Sequence, residues 1–216
     1  MRKFWRNNGL SVVFLILFFF CLFGQYISGW KEYNAQREEE GLSSINIGQY
    51  ARSGHFLQAT FENWESEFLQ MALFVVLTVS LRQKGSSESK GFESEPVDRK
   101  PRKRKDAPWP VKKGGLVLAL YKRSLSIVLF ILFLLSFALH LYGSLKDENE
   151  HLQAMGKPPE TLVSYLDSNR FWFESFQNWQ SEFLSVFTLV ILSIFLRQQG
   201  SPQSKPVDAP HSETGE

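Results

Sequence analysis

Phe61-Glu62-Asn63-Trp64-Glu65-Ser66-Glu67-Phe68-Leu69 occurs a second time in this chain, as Phe176-Gln177-Asn178-Trp179-Gln180-Ser181-Glu182-Phe183-Leu184. Each copy leads into an apolar segment ending in Leu-Arg-Gln, at Leu81-Arg82-Gln83 and Leu196-Arg197-Gln198. Outward from the motif the match runs without a gap, from residue 10 against 125 to residue 90 against 205. About a third of these positions are identical, which marks a duplicated structural unit longer than a solenoid repeat.

Each copy opens with an apolar run. Leu10–Ile27 carries no charge, and Leu125–Tyr142 is interrupted only by the ionisable His140. At about 18 residues, each comes close to the roughly 20 that cross about 30 Å of hydrocarbon. The mean hydropathy of -0.18 reflects long polar connections and does not oppose insertion. The 20 Phe and 6 Trp suit helices that face lipid with their ends at headgroup level. Arg2, Lys3 and Arg6 before the first run resemble a signal peptide. The run is longer than a signal core, however, no small-residue cleavage site follows, and its duplicate lies mid-chain. The first run is therefore expected to be retained. Cys21 is the single cysteine, so no internal disulfide can form.

The second helix of each copy is less obvious. Phe68–Leu81 is too short to span alone, and extending it back to Phe61 takes in Glu62, Asn63, Glu65 and Glu67. In the second copy two of these carboxylates are Gln177 and Gln180, so spanning is easier there. Charge sets the expected orientation. The connection Arg82–Arg123 carries about eight more positive than negative charges, whereas Glu38-Glu39-Glu40 and Asp147-Glu148 with Glu150 make the other connections acidic. The reading is an all-α membrane protein with four transmembrane helices, arranged as two tandem parallel-repeat hairpins. The first hairpin is residues 1–90, with spans at about 10–30 and 61–81. A basic, disordered linker follows at 91–115. The second hairpin is 116–198, with spans at about 122–145 and 176–196, and a disordered tail occupies 199–216. Both termini and the linker are expected in the cytoplasm, with Trp109, Lys122 and Arg123 marking the inner interface.

Helical spacing gathers Asn63, Ser66, Glu67, Gln70 and Thr78 on one side, and Asn178, Ser181, Glu182, Ser185 and Ser193 in the second copy. So polar a stripe is expected to face other helices, since lipid offers no hydrogen-bond partners. Gln25 and His140 occupy matching positions on the first helix of each copy. Counted from a boundary near Leu10, Gln25 lies about 22 Å up, close to the height of Glu67. The candidate functional cluster is therefore Gln25, Asn63, Glu67, His140, Asn178 and Glu182, with Gln25 facing Glu67 and His140 facing Glu182. Trp64 and Trp179 read as interfacial anchors, and Glu62 and Glu65 as solvated charges. Against a functional role for Glu67 and Glu182 stands the simpler outcome, in which both snorkel to water.

Arg99, Lys100, Arg102, Lys103, Arg104 and Lys105 form a basic run suited to anionic lipid, or to acting solely as a topology determinant in the loop. Nucleic acid is not an expected partner of a four-span chain. There is no Gly-rich phosphate loop, metal-ligand spacing of Cys and His, or nucleophile elbow. No catalytic residue, metal or cofactor is therefore expected, and an enzyme is the least favoured class.

Phe4-Trp5-Arg6 with Gly9-Leu10-Ser11, Ser53-Gly54-His55-Phe56, the run Phe61–Met71 and Leu81-Arg82-Gln83-Lys84-Gly85-Ser86 are distinctive together. With Pro108-Trp109-Pro110 and Phe171-Trp172-Phe173 in the second half, they resemble an uncharacterised bacterial family of small four-helix integral membrane proteins, a domain of unknown function. The resemblance covers nearly the whole chain. It implies a multi-pass protein of the bacterial inner membrane and supplies no activity or site residues. Two functions fit: a structural or accessory membrane component, alone or with a homo-oligomeric or other membrane partner, or a proton, ion or small-solute transport component built on the duplicated motif.

Overall fold

The computed structural model describes residues 2–215, and among them every regular element is helical. In chain order these are α1 (Arg2–Glu39), α2 (Ile47–Tyr50), α3 (Gly54–Leu77), a 3-10 turn (Pro96–Asp98), α4 (Trp109–Lys113), α5 (Gly115–Tyr121), α6 (Ser124–Ala154), α7 (Leu162–Leu166) and α8 (Asn169–Phe195). Three helices, α1, α6 and α8, are long and apolar enough to cross a membrane. The fourth span expected from the sequence, α3, is not among them. At 24 residues α3 is long enough, but Glu62, Glu65 and Glu67 keep it from qualifying by composition. It also starts at Gly54 and stops at Leu77, where Thr78–Ser80 form a turn, so it is displaced from the expected 61–81.

The chain divides into two compact units, Met1–Phe61 with Ala138–Phe171, and Glu62–Phe137 with Trp172–Glu216. Helices α3, α6 and α8 contribute residues to both.

The first unit is organised by aromatic rings and by side chains that close its connections. Tyr50 is fully buried beside Tyr26, Tyr33, His55 and Phe56, with ring centroids 5.4 to 5.9 Å away. The Tyr50 hydroxyl shares a hydrogen bond with His55 Nδ1 at 3.1 Å, and Gly29 leaves the space it fills. Asn34 at the end of α1 clasps the following connection, donating to the Ile45 carbonyl at 3.0 Å and accepting from its amide at 2.8 Å. Asn149 on α6 does the same with Glu160, at 3.1 and 2.6 Å. Other pairs recur as well. Asn46 caps α2 and Thr161 caps α7, and Ser53 and Ser168 accept from the amides of Phe56 and Phe171. Tyr165 is as buried as Tyr50, and its hydroxyl meets Ser144 at 2.5 Å. Side-chain caps of this kind satisfy the backbone groups that helix ends leave open.

Within this unit α3 and α6 cross at glycines. A Cβ on Gly54 would lie 2.7 Å from the Gly143 carbonyl oxygen, and one on Gly143 would lie 2.5 Å from the Gln58 amide nitrogen. Only glycine lets the two backbones come this close.

In the second unit, arginines close the ends of α3 and α8. Arg82 donates to the carbonyls of Thr78, Val79 and Leu81, and Arg197 to those of Ser193, Ile194 and Leu196. A cation there satisfies open carbonyls and complements the helix dipole. Gln83 N and Gln198 N each donate 2.9 Å to a serine hydroxyl, Ser89 and Ser204 respectively. Residues 199–215 form turns and no helix. The Lys205 ammonium is buried among the carbonyls of Pro210, His211 and Glu213 at 2.8 to 3.3 Å. That burial holds the lysine below its usual range.

Candidate functional site

The duplicated motif lies on α3 and α8 in the second unit, and its best-defined contact joins its two copies. The Trp179 indole N–H donates to Glu65 Oε1 at 2.8 Å, and Glu65 is 0% exposed. This corrects one expectation: Glu65 is a buried hydrogen-bonding partner and not a solvated charge. Trp179 is half-buried with its polar edge turned to that carboxylate. The ring of Phe133 on α6 meets the Trp179 ring edge to face at 6.4 Å, and Trp172 and Phe176 complete an aromatic cluster around it. A buried carboxylate needs donors to offset lost hydration, and an indole supplies one inside an otherwise apolar contact.

The hydroxyls of the polar stripe are largely spent within their own helices. Ser66, Ser181 and Ser185 each donate to the carbonyl three residues earlier, all at 2.8 Å, and Thr78 donates to Phe74 at 2.7 Å. Asn178 donates to the Glu174 carbonyl on its own helix at 3.1 Å. Asn63 is exposed, and Trp64 is half-buried. Glu67 and Glu182, the corresponding carboxylates of the two copies, lie near enough to interact electrostatically, Glu67 exposed and Glu182 half-buried.

Gln25 belongs to the first unit. It takes Thr60 in place of the expected Glu67, donating to the threonine hydroxyl at 3.3 Å. His140 is completely buried, with its ring 5.0 Å from that of Phe171. Within the first unit Gln25 is joined to Thr60, and within the second Glu67 lies near Glu182.

Beyond the apolar runs, the first unit carries charged groups that the motif reading passed over. A cavity of about 110 Å³ is lined by Tyr33, Arg37, Glu40, Asp147, Glu150 and Arg170, among others. Its walls are tied by ion pairs: Arg170 with Asp147 (3.2 Å) and Glu148, and His151 with Glu40 at 3.2 Å. The Tyr33 hydroxyl donates to Glu150 at 2.8 Å. Burial, then Glu150, pushes the Tyr33 phenol up, and burial pushes Tyr50 up to about 12. Burial also raises the Asp147 carboxyl, which His55 and Arg170 pull back down. These are the marks of a cross-linked polar head whose charges are matched internally. The sequence offered a signal for it, since Asn34 and Asn149, Tyr50 and Tyr165, and Ser53 and Ser168 occupy corresponding positions of the two halves.

A family model described as Domain of unknown function (DUF6766) matches residues 1–216. The chain belongs to this family. No curated protein and no solved structure matches it. Membership agrees with the sequence resemblance as far as a family without an assigned function, and three helices capable of spanning make the family compatible with a membrane role.

Proposed function

We propose that this DUF6766 protein is a four-span component of the bacterial inner membrane, built from two tandem hairpins with both termini cytoplasmic, and that its role is structural or accessory. The repeated hydrogen bonds at Asn34 and Asn149, Ser53 and Ser168, and Arg82 and Arg197 support a duplicated unit. The fourth span is α3. Its 24 residues measure about 36 Å, more than a bilayer's roughly 30 Å of hydrocarbon. Of the carboxylates that count against it, Glu65 is buried and has a protein partner in Trp179. The basic connection around Arg99–Lys105, exposed throughout, draws the cytoplasmic side of the protein to anionic lipid.

The observation that carries the accessory role is the Trp179–Glu65 hydrogen bond. It fastens α3 to α8 through two of the motif's most distinctive residues. A second reading rests on the neighbouring Glu67 and Glu182, because intramembrane carboxylates are costly and mark proton or ion paths in transporters. Flux separates the two. Proteoliposomes holding the wild-type protein should pass protons and small ions no faster than empty liposomes under either a pH or a salt gradient. Flux that disappears in the Glu67→Gln, Glu182→Gln double variant would move the transport reading to the front.

A further inference from the structure

The second unit contains a groove of about 1010 Å³ between the last turns of α3 and the start of α6. Its apolar lining comes from Phe74 and Val75 of α3, Val79 in the turn that follows, and Leu125 of α6. Beside it stand Lys122 and Arg123, both exposed, at the junction of α5 and α6. Three acids, Glu88, Glu95 and Asp98, share the groove. Asp98 is ion-paired with Lys90, whose hydrogen bond holds its carboxyl below the usual range, and Glu95 accepts the Gly91 amide. Among the described residues no carboxylate forms an ion pair with Lys122 or Arg123. The two cations immediately precede Leu125, where the apolar run 125–142 begins. The lining thus brings together a cationic pair, hydroxyls at Ser87 and Ser126, and apolar side chains, the three kinds of surface that a phospholipid's phosphate, glycerol and acyl chain require.

We propose that this groove holds one anionic glycerophospholipid, with its phosphate on Lys122 and Arg123 and an acyl chain along Phe74, Val79 and Leu125. The proposal rests on the membrane reading above. It differs in kind from attraction of the basic run at Arg99–Lys105, which is diffuse and needs no cavity. Basic pockets at the cytoplasmic ends of spanning helices select anionic headgroups because two fixed cations meet one phosphate where salt screens them only partly.

The test is native mass spectrometry of the full chain released from nanodiscs made of equal parts phosphatidylglycerol and phosphatidylcholine. One retained phosphatidylglycerol per chain is expected, favoured over phosphatidylcholine by roughly tenfold or more. The Lys122→Gln, Arg123→Gln variant, altered only at exposed positions, should lose that preference. An Arg102→Gln, Lys103→Gln, Arg104→Gln variant should keep the retained lipid while adsorbing less to anionic vesicles. Equal retention of the two lipids by the wild type overturns the groove, and so does retention untouched by the Lys122 and Arg123 changes. A chain that does not enter nanodiscs at all overturns the membrane reading, and the groove with it.

Discussion

Gly143→Ala should destabilise the protein strongly. The added Cβ would stand 2.5 Å from the Gln58 amide nitrogen and 2.8 Å from the Leu57 Cβ, and a backbone neighbour cannot swing aside as a side chain can. Gly54→Ala attacks the same crossing from the other helix, meeting the Asp147 amide nitrogen most closely and then the Gly143 carbonyl and the Asp147 Cα at 2.7 Å. Overpacking of a tight contact costs about 1–3 kcal/mol, and here α3 and α6 must move apart as whole backbones, so the upper end is expected. Gly24→Ala is the control, because nothing lies within 4 Å of its added carbon. Thermal unfolding in detergent should show large losses for the first two variants and none for the third. Because Gly54 and Gly143 share one crossing, the double variant should lose less than the sum of the two. A Gly143→Ala protein that melts with the wild type would mean that the close crossing does not exist.

Trp179→Phe carries the second largest effect. Phenylalanine keeps an aromatic ring against Phe133 but withdraws the N–H from buried Glu65. A hydrogen bond to a charged group contributes about 1.5–3 kcal/mol, and removing one partner strands the other, so a loss in that range is expected. Glu65→Leu should also destabilise, since it removes the acceptor of a half-buried indole. Adding Trp179→Phe to Glu65→Leu should then cost little more, giving a coupling energy of at least about 1 kcal/mol in the double-mutant cycle. Additive losses would return Trp179 to the role of an interfacial anchor and weaken the accessory reading.

The helical class was legible because periodicity and apolar length are local properties that Leu10–Ile27 and Leu125–Tyr142 display openly. The fate of Glu65 was not legible. Its neighbours in sequence are charged or polar, and what buries it is Trp179, 114 positions away. Glu62 and Glu65 look alike to a composition argument, and tertiary contact decides between them. Gln25 is a related case: a residue's height along a helix leaves several acceptors within reach, and the threonine hydroxyl of Thr60 is one that Gln25 meets. The polar head of the first unit was hidden in a different way. Asn34 and Asn149 lie outside the motif, in connections that read as acidic loops, and only their matched positions hinted that each closes a turn.

The four-span arrangement underlies everything proposed for this protein, and α3 decides it. Single cysteines at Gly41→Cys, Lys103→Cys, Gly156→Cys and Ser212→Cys in a Cys21→Ser background would be treated with a membrane-impermeant maleimide on intact spheroplasts. All four positions are exposed in the folded chain. With α3 in the bilayer, positions 41 and 156 label from outside, while 103 and 212 label only after permeabilisation. If α3 does not cross, Lys103 joins Gly41 outside and Gly156 moves inside, and that exchange would contradict the account.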